Sequence, residues 1–399
     1  MENTTRKKLM ILGASNLQAK LACAAKELGY HTIIASIPGD YPAFATADET
    51  VYVDISDPEA VCRCAVERKI DGIATCCLDT GIHAVGYVAE KLGLCNLKER
   101  AASFCSNKAA MKEALVRGGV NTAAFRKVSD SESLEAAVRE LQLPVVVKAV
   151  DQQGSKGVFI SNTLEEALHG FCEAMACTRQ DYCLVEQCII GEEYGAEAVV
   201  YHGDILFVLP NGKLTYPGYT NVPIGHYLPL ENAEQICAEI EAETRKAIIA
   251  LGLNDCAVNA DLIVKDGKAY IIELTGRAGA TCLPEQVSIY FDIDYYKIIA
   301  MTAMGEDPRP FFKKDAPKTS SVSEMLLSEK SGRVKNIHSK IEASEAIYDF
   351  SLIIKEGSYV NRFTNSKDRI GQIIVKASDY AECMKVIEKA KQQLSVELE

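Results

Sequence analysis

Strand-like and helix-like segments alternate through the first hundred residues of this 399-residue chain. Apolar runs of strand length occupy 8–14, 31–36, 49–54 and 72–77. Between them, 17–29 and 57–69 carry apolar residues at helical spacing, and Gly29 is placed to end the first helix. Because parallel strands need long crossover connections, this alternation predicts a parallel sheet with helices on both of its faces.

The pattern changes near residue 105. Further helix and strand signals occupy 107–119, 124–128, 131–141, 144–150, 164–175, 232–252 and 379–394. Between the later helices lie long runs rich in β-branched residues, joined by short turns that suit antiparallel pairing. The sequence therefore predicts an α/β and α+β protein of two or three domains, with a parallel lobe followed by a mostly antiparallel body.

Charge and composition limit the partners. A net charge of −12 argues against duplex nucleic acid, which needs a basic protein face. No apolar run approaches the roughly 20 residues that span a bilayer, and no secretion signal is apparent, so we expect no membrane partner and a cytoplasmic location. The 15 cysteines are scattered in apolar runs without zinc-ligand spacing. We interpret them as reduced core residues and expect no zinc site.

The first turn, GASNLQ at 13–18, matches a dinucleotide fingerprint poorly because it lacks the second and third glycines. A pyridine nucleotide site is therefore not favoured. Parallel sheets nevertheless bind ligands at the carboxyl ends of their strands, and Asp79 follows the fourth predicted strand. We expect Asp79 to face a substrate group.

A lysine in a buried-looking strand and the loop after it form a first candidate site. Lys148 lies in VVVKAV, where an ammonium group is costly unless an anion meets it. In the loop, Gly154, Ser155, Lys156 and Gly157 could present backbone N–H groups and one charge to phosphate oxygens. The alternative is that these four residues form an ordinary hairpin turn without a binding role.

Acidic strand ends form a second candidate. Glu186 ends one apolar strand and Glu193 opens the next. The extended segment EQCI at 186–189, from Glu186 through Gln187 to Ile189, could offer backbone groups to a flat base, and Glu193 could accept hydrogen bonds from ribose hydroxyls. A solvated hairpin with acidic residues is the alternative.

Two strands joined by an Asp266-Gly267 turn form the third candidate, in AVNADLIVKDGKAYIIELTGR at 257–277. Pairing outward from the turn places residues whose numbers sum to about 533 or 534 opposite each other. Asp261 then lies across from Glu273 or its immediate neighbour. Two facing carboxylates repel unless a cation joins them, which predicts a Mg²⁺ site. The alternative has one acid pointing to solvent.

Taken in order, these segments resemble the ATP-grasp enzymes over nearly the whole chain. The motifs that carry the likeness are SNKAAMKEALVRGGVNT, LPVVVKAVDQQGSKGV, LVEQCIIGEEYGAE and DLIVKDGKAYIIELTGR. Within that superfamily the chain is similar to the branch of L-amino acid ligases, carbamoyl phosphate synthetase-like proteins and ATP-using purine enzymes. The resemblance implies a pre-ATP-grasp domain at 1–105, an ATP-grasp domain at 106–318 with its lid at about 124–190, and an α+β subdomain at 319–399.

The resemblance also implies roles for matching positions. The ATP-binding set is Lys108, Lys148, Gly154, Ser155, Lys156, Gly157, Glu186, Gln187, Ile189, Glu193 and His226, with Lys213 a weaker candidate. The metal ligands are Asp261 and Glu273 for Mg²⁺, with Mn²⁺ as a possible substitute. Arg277 would steady the transferred phosphoryl group with Lys148, and Asp79, Arg277 and Gly279 would meet the substrate. Thr275 stands where the family usually has Asn, so it would be a weak metal ligand.

Three functions fit this interpretation. The first is an ATP-dependent carboxylate–amine ligase that joins small molecules such as amino acids through an acyl phosphate, and the resemblance adds a homodimer as a common assembly. The second is a purine-pathway or carbamoyl-phosphate type activity on a ribonucleotide or bicarbonate. The third is a non-catalytic nucleotide-binding protein. The first is favoured because the N-terminal lobe lacks a dense basic cluster for a ribonucleotide phosphate.

Overall fold

The computed structural model describes residues 6–154, 156–216, 222–313 and 318–399. The chain divides into two compact units. The ranges of the first are 1–208, 238–278 and 296–307, and those of the second are 209–237, 279–295 and 308–399. In the described ranges no helix is long and apolar enough to cross a membrane.

Four parallel strands open the first unit, in the order β3-β2-β1-β4. The elements are β1 (Lys8–Leu12), α1 (Asn16–Glu27), β2 (His31–Ser36), β3 (Glu49–Tyr52), α2 (Pro58–Arg68), β4 (Gly72–Ala74), α3 (Ile82–Leu92) and α4 (Glu99–Ser106). The strand predicted at 8–14 stops at Leu12, since Gly13 takes a φ of +96°. Strand residues such as Met10 and Ile33 are fully buried, as expected of a sheet covered on both faces. The predicted parallel α/β lobe is confirmed.

A smaller antiparallel sheet follows, in the order β5-β8-β6-β7. This region comprises α5 (Lys108–Arg117), β5 (Phe125–Val128), α6 (Ser131–Leu141), β6 (Val145–Lys148), β7 (Val158–Ser161), α7 (Leu164–Cys177) and β8 (Cys183–Gln187). Leu134 of α6 and Ala167 of α7 belong to the same buried cluster as Val147 and Val185 of the sheet. The apolar stripes of α6 and α7 and one face of this sheet are therefore buried together, which stabilises this two-layer region.

Longer strands and one long helix come next: β9 (Glu192–Tyr201), β10 (Asp204–Thr215), β11 (Pro223–Leu228), α8 (Glu234–Leu251), β12 (Cys256–Lys265) and β13 (Lys268–Thr275). In the first unit, β12 pairs antiparallel with both β9 and β13. The turn from β12 to β13 has positive φ at Asp266 and Gly267, which is the two-residue hairpin geometry that Asp-Gly favours.

The second unit is built on antiparallel strands and the last helix. Its elements after residue 279 are α9 (Leu283–Phe291), β14 (Ser320–Leu326), β15 (Gly332–Ser339), β16 (Ile347–Leu352), β17 (Tyr359–Val360), β18 (Gly371–Ala377), α11 (Tyr380–Gln392) and β19 (Leu394–Leu398). Helix α10 (Tyr295–Ala303) belongs, from Tyr296 on, to the first unit. Short 3-10 helices lie at Pro42–Ala45, Arg309–Phe311 and Ser366–Asp368. Strands pair in the orders β10-β11-β14-β18-β16 and β17-β15-β19. Ile373 and Ile387 are fully buried where α11 covers the sheet, and the predicted antiparallel body is confirmed.

Candidate active site

Acidic and polar side chains share one face of the strands β9, β12 and β13. Asp261 of β12 lies directly opposite Glu273 of β13, so the two carboxylates point to the same side of the sheet. Two residues further along each strand, Asn259 faces Thr275 in the same way. The predicted pairing of the two acids is therefore present, and alternation along each strand adds a second polar pair beside it.

A β-bulge lies next to this carboxylate pair. Asp261 pairs with Glu273 but the following Leu262 pairs with Ile271, so Ile272 is an extra residue on β13. The sums of paired numbers are 534 on one side of the bulge and 533 on the other. Bulges of this kind redirect side chains and are common beside active sites.

Strand β9 extends the same face. Glu197 pairs with Asn259, Gly195 with Asp261 and Glu193 with Ile263. Glycine at 195 adds no side chain opposite Asp261. The Asn259 amide donates to Glu197 Oε1 at 2.9 Å, and Glu197 is fully buried. Glu193, Asp261 and Glu273 therefore form an acidic stripe, backed by the buried Glu197–Asn259 pair.

The first lysine of α5 reaches this stripe. Lys108 Nζ lies 3.4 Å from Glu273 Oε1 and donates to the Gln152 carbonyl at 2.6 Å. The Lys108 backbone N–H also donates to the Val150 carbonyl at 2.9 Å. Lys108 thus sits between the metal-ligand candidate and the start of the glycine loop.

Two further cations meet one buried acid. Lys148 of β6 and Lys112 of α5 approach Glu186 Oε2 at 3.1 and 2.9 Å. Burial alone would raise the pKa of Glu186, but the two ammonium charges outweigh it and lower that pKa. Burial lowers the pKa of Lys112, although the Glu186 charge opposes the shift. The Glu186 side chain is 2% exposed and is directed to these lysines.

The glycine loop between β6 and β7 closes as a hairpin. Ala149 N–H donates to the Gly157 carbonyl at 2.8 Å, and both Gly154 and Gly157 have positive φ. A Cβ at Gly157 would lie 2.8 Å from Ala149 Cβ, so a larger residue would strain the loop. Lys156 is exposed, while the predicted Ser155 lies outside the described residues.

Arginine 277 is held by acceptors on several sides. Its Nε and Nη2 donate to the two carboxylate oxygens of Asp79, and its Nη1 donates to Asn259 Oδ1 at 3.3 Å. Thr275 Oγ1 donates to Asp79 Oδ1 at 3.1 Å. Burial would raise the pKa of Asp79, but the Arg277 charge and these hydrogen bonds lower it, while Asp79 raises the pKa of Arg277. The result is a fixed guanidinium beside the acidic stripe.

Comparison with known proteins identifies the architecture. The family of phosphoribosylglycinamide synthetase ATP-grasp (A) domains matches residues 106–213, and that of L-amino acid ligase C-terminal domain 2 matches residues 324–399. The crystal structure of phosphoribosylglycinamide synthetase from Anaerococcus prevotii is similar over 99% of this chain and 100% of that chain, at 43% identity and a TM-score of 0.86. The chain belongs to the ATP-grasp superfamily.

The chain is also similar to two L-amino acid ligases. The crystal structure of L-amino acid ligase from Bacillus licheniformis covers 99% of this chain and 100% of that chain, with a TM-score of 0.84 at 21% identity, which shows the fold. L-arginine-specific L-amino acid ligase from Bacillus subtilis is 24% identical over 70% of this chain and 69% of that protein. This ATP-grasp protein is an enzyme of the carbon–nitrogen bond-forming ligases, in the carboxylate–amine ligase family.

The sites predicted for this ATP-grasp enzyme divide between the two units. The first unit holds Asp79, Lys108, Lys148, Gly154, Lys156, Gly157, Glu186, Gln187, Ile189, Glu193, Asp261, Glu273, Thr275 and Arg277. The second holds Lys213, His226 and Gly279. His226 is 7% exposed and its backbone N–H and carbonyl bond to Ser323 and Gln286. Lys213 faces it across β10 and β11.

Sequence reasoning missed three polar residues of this site: Lys112, Glu197 and Asn259. Asn259 precedes Asp261 by two positions, so strand alternation could have placed both on one face. Lys112 follows Lys108 by one helical turn, which gives it the same helix face. Glu197 is an acid inside an apolar run, a pattern that signals a buried partner.

Proposed function

We propose that this enzyme joins a carboxylate to an amine with ATP, that both substrates are L-amino acids, and that an acyl phosphate is the intermediate. The observation that carries this proposal is the cross-strand pair of Asp261 and Glu273, with Lys108 3.4 Å from Glu273. Arg277 lies four residues beyond Glu273, where the strand has ended. Paired acids, a lysine and an arginine together suit a nucleotide triphosphate and an activated carboxylate.

The donor chemistry at this pair fits Mg²⁺, and Mn²⁺ could take its place. Asp261 and Glu273 supply hard carboxylate oxygens from two adjacent strands, and facing carboxylates repel each other unless a cation lies between them. Bound there, Mg²⁺ would offset the negative charge of the ATP phosphates. Thr275 would contribute little to the metal, since its hydroxyl donates to Asp79.

The nucleotide would use the predicted residues as follows. Lys108 and Lys148 would neutralise phosphate oxygens, and the loop at 154–157 would close over them as part of the lid at about 124–190. We propose that this lid belongs to an ATP-grasp domain that spans 106–318. Gln187 is exposed and Ile189 partly exposed at the end of β8, where the chain would face adenine. The N–H groups of Gln187 and Cys188 already donate to the Ala124 and Pro144 carbonyls. Glu193 would accept from ribose hydroxyls, and for His226 a nucleotide contact stays a prediction of the resemblance.

Chemistry would then proceed in two displacements. A substrate carboxylate oxygen attacks the γ-phosphorus and ADP departs. The phosphorylated oxygen can then leave the acyl carbon as phosphate, whereas the free carboxylate oxygen is a poor leaving group. The amine nitrogen next attacks the acyl carbon, the C–O bond to phosphate breaks, and the nitrogen loses a proton. Arg277, fixed by Asp79 and Asn259, would offset charge on the phosphoryl group and on the tetrahedral oxyanion. Asp79 would lie at the substrate, and for Gly279 a substrate contact stays a prediction of the resemblance.

An assay of ADP and phosphate release tests this proposal. Purified enzyme with ATP and Mg²⁺ should release ADP and phosphate only when suitable L-amino acids are present, and mass spectrometry should find the corresponding dipeptide. Glu273→Gln should abolish release without unfolding the protein, because one ligand charge is lost at constant volume. Glu132→Gln, an exposed acid in α6, is the matched control. Near-normal release from Glu273→Gln would rule out the metal assignment.

A ribonucleotide or bicarbonate activity is the second candidate, favoured by the 43% identity to the Anaerococcus protein. Against it stands the start of α1, where Ser15 Oγ accepts from Leu17 N–H and Gln18 Oε1 accepts from Ser15 N–H. Side chains of the chain itself thus occupy donors that a phosphate at this helix start would need. Release that requires a phosphorylated ribose compound or bicarbonate, and that amino acids alone do not support, would favour this second function.

A further inference from the structure

Three side chains of different chemistry converge in the first unit, away from the acidic stripe. A cysteine sulfur of Cys95, a ring nitrogen of His202 and a carboxylate oxygen of Asp255 all lie within 4.8 Å of one another. Cys95 is partly buried, His202 is exposed and Asp255 is buried. They come from the α3–α4 connection, the β9–β10 turn and the residue before β12. In the ladder between β9 and β12, the cluster lies next to the terminal pair Val200–Cys256, whereas Glu193 lies at the opposite end of the ladder.

The turn that carries His202 is fixed in place by its neighbours. His202 and Gly203 both have positive φ, as a two-residue hairpin turn requires. Asp255 Oδ1 accepts from His202 N–H at 2.7 Å and lies 3.2 Å from His202 Nδ1. Asn254 Oδ1 accepts from Gly203 N–H at 2.7 Å. Asp255 therefore caps the turn and also places an oxygen beside the imidazole.

Packing restrains the other two donors. The His202 ring stacks on Tyr201 with centroids 4.1 Å apart, and the Tyr201 hydroxyl donates to the Gly305 carbonyl at 3.1 Å. A Cβ at Gly305 would lie 3.4 Å from Cys95 Cβ, so the same segment packs against the cysteine. The three donors are thereby held together before any ligand arrives, which lowers the entropy lost on binding.

We propose that Cys95, His202 and Asp255 form a Zn²⁺ site, with water as the fourth ligand on the exposed side of His202. Thiolate sulfur, imidazole nitrogen and carboxylate oxygen are the three donor types that Zn²⁺ takes in tetrahedral sites. Mg²⁺ prefers oxygen donors in octahedral geometry, so it would favour the Asp261–Glu273 pair. The zinc would tie the α3–α4 connection to the ends of β9 and β12, the strands that carry Glu193 and Asp261.

Cobalt substitution tests the site directly. Full-length protein, reduced with a phosphine, freed of metal by a chelator and returned to excess Mg²⁺, is titrated with Co²⁺. One equivalent should give a thiolate-to-cobalt charge-transfer band and visible bands of tetrahedral intensity, and Zn²⁺ should displace them. Cys95→Ser should lose the charge-transfer band, and His202→Asn should lose the tetrahedral intensity. Asparagine replaces His202 because it tolerates the positive φ of the turn.

Cys172→Ser, which removes an exposed cysteine of α7, is the control and should keep the full spectrum. Zn²⁺ should raise the unfolding temperature of the wild type and of Cys172→Ser but not of Cys95→Ser. Unfolding temperatures in chelator establish that each variant is folded. Absence of the cobalt bands from folded wild type, or equal spectra in wild type and Cys95→Ser, would overturn the site.

Discussion

Asp79 accepts two hydrogen bonds from the Arg277 guanidinium, at 2.7 Å from Nε to Oδ1 and 2.8 Å from Nη2 to Oδ2. The residues are 198 positions apart and join the parallel lobe to the end of β13. A bidentate pair fixes both the position and the plane of the guanidinium. With Nη1 also bonded to Asn259, the arginine proposed for the acyl phosphate step is oriented before substrate arrives.

We expect Asp79→Asn to damage turnover more than stability. The side chain of Arg277 is 11% exposed and that of Asp79 26%, so part of the lost pairing is replaced by water. We expect unfolding to become easier by about 1–3 kcal/mol, below the usual cost of breaking a buried pair. A guanidinium free to move should lower kcat by about ten- to a hundred-fold. Phosphate release and chemical denaturation measure the two effects.

The control for this variant is Asp40→Asn, an exposed carboxylate in the connection after β2. It should leave both kcat and the free energy of unfolding close to wild type. An Asp79→Asn enzyme with unchanged kcat would show that the ion pair does not position Arg277.

Thr275 is expected to act through Asp79 more than through the metal. Its hydroxyl donates to Asp79 Oδ1 and its side chain is 5% exposed. Thr275→Val keeps the shape and removes the donor, so we expect kcat to fall by several-fold while the Mg²⁺ concentration for half-maximal rate stays the same. Thr275→Asn should keep activity, because an amide can also donate to Asp79. Rates measured across a Mg²⁺ series separate these roles, and a large shift in Mg²⁺ requirement for Thr275→Val would assign Thr275 to the metal instead.

The parts of the site that the sequence could predict are those set by local rules. The Asp266-Gly267 turn fixes the register of β12 and β13 near the turn, and that register places Asp261 opposite Glu273 or its immediate neighbour. The bulge at Ile272 then selects Glu273. Alternation of strands and helices similarly fixes the parallel lobe and places Asp79 after β4. These predictions needed no knowledge of distant contacts.

The missed parts depend on pairings between distant segments. Glu197 reaches Asn259 only because β9 pairs with β12, and their separation of 62 residues leaves no local sign of the register. The bulge at Ile272 likewise has no signal in the sequence, although it changes the pairing from Asp261 back to Asn259. Lys112 and Glu186 come from a helix and a strand that meet only in the folded chain.

Lys112 and Lys148 share Glu186 but should differ in function. The Lys112 side chain is 1% exposed and also donates to Thr122 Oγ1 at 2.8 Å, whereas the Lys148 side chain is 10% exposed. Lys112→Met should therefore cost about 2–4 kcal/mol of stability and change the KM for ATP little. Lys148→Met should raise that KM strongly, because it removes a proposed phosphate contact. Paired denaturation and ATP-dependence measurements make each variant the control for the other, and equal KM values would remove Lys148 from the phosphate site.

Glu186 should make stability depend on pH in acid. Burial alone would raise its pKa, but Lys148 and Lys112 hold the pKa below its ordinary value of 4.5 in the folded protein. The unfolded chain therefore binds more protons in this range, and the stability from Glu186 is present above the unfolded pKa and lost as the pH falls through the folded pKa. Glu186→Gln lacks this titration. From about pH 6 to about pH 4, its free energy of unfolding should fall less than that of the wild type, although it starts lower. Denaturant titrations at both pH values measure the difference, and parallel losses in the two proteins would show that Glu186 is not ionised against the lysines.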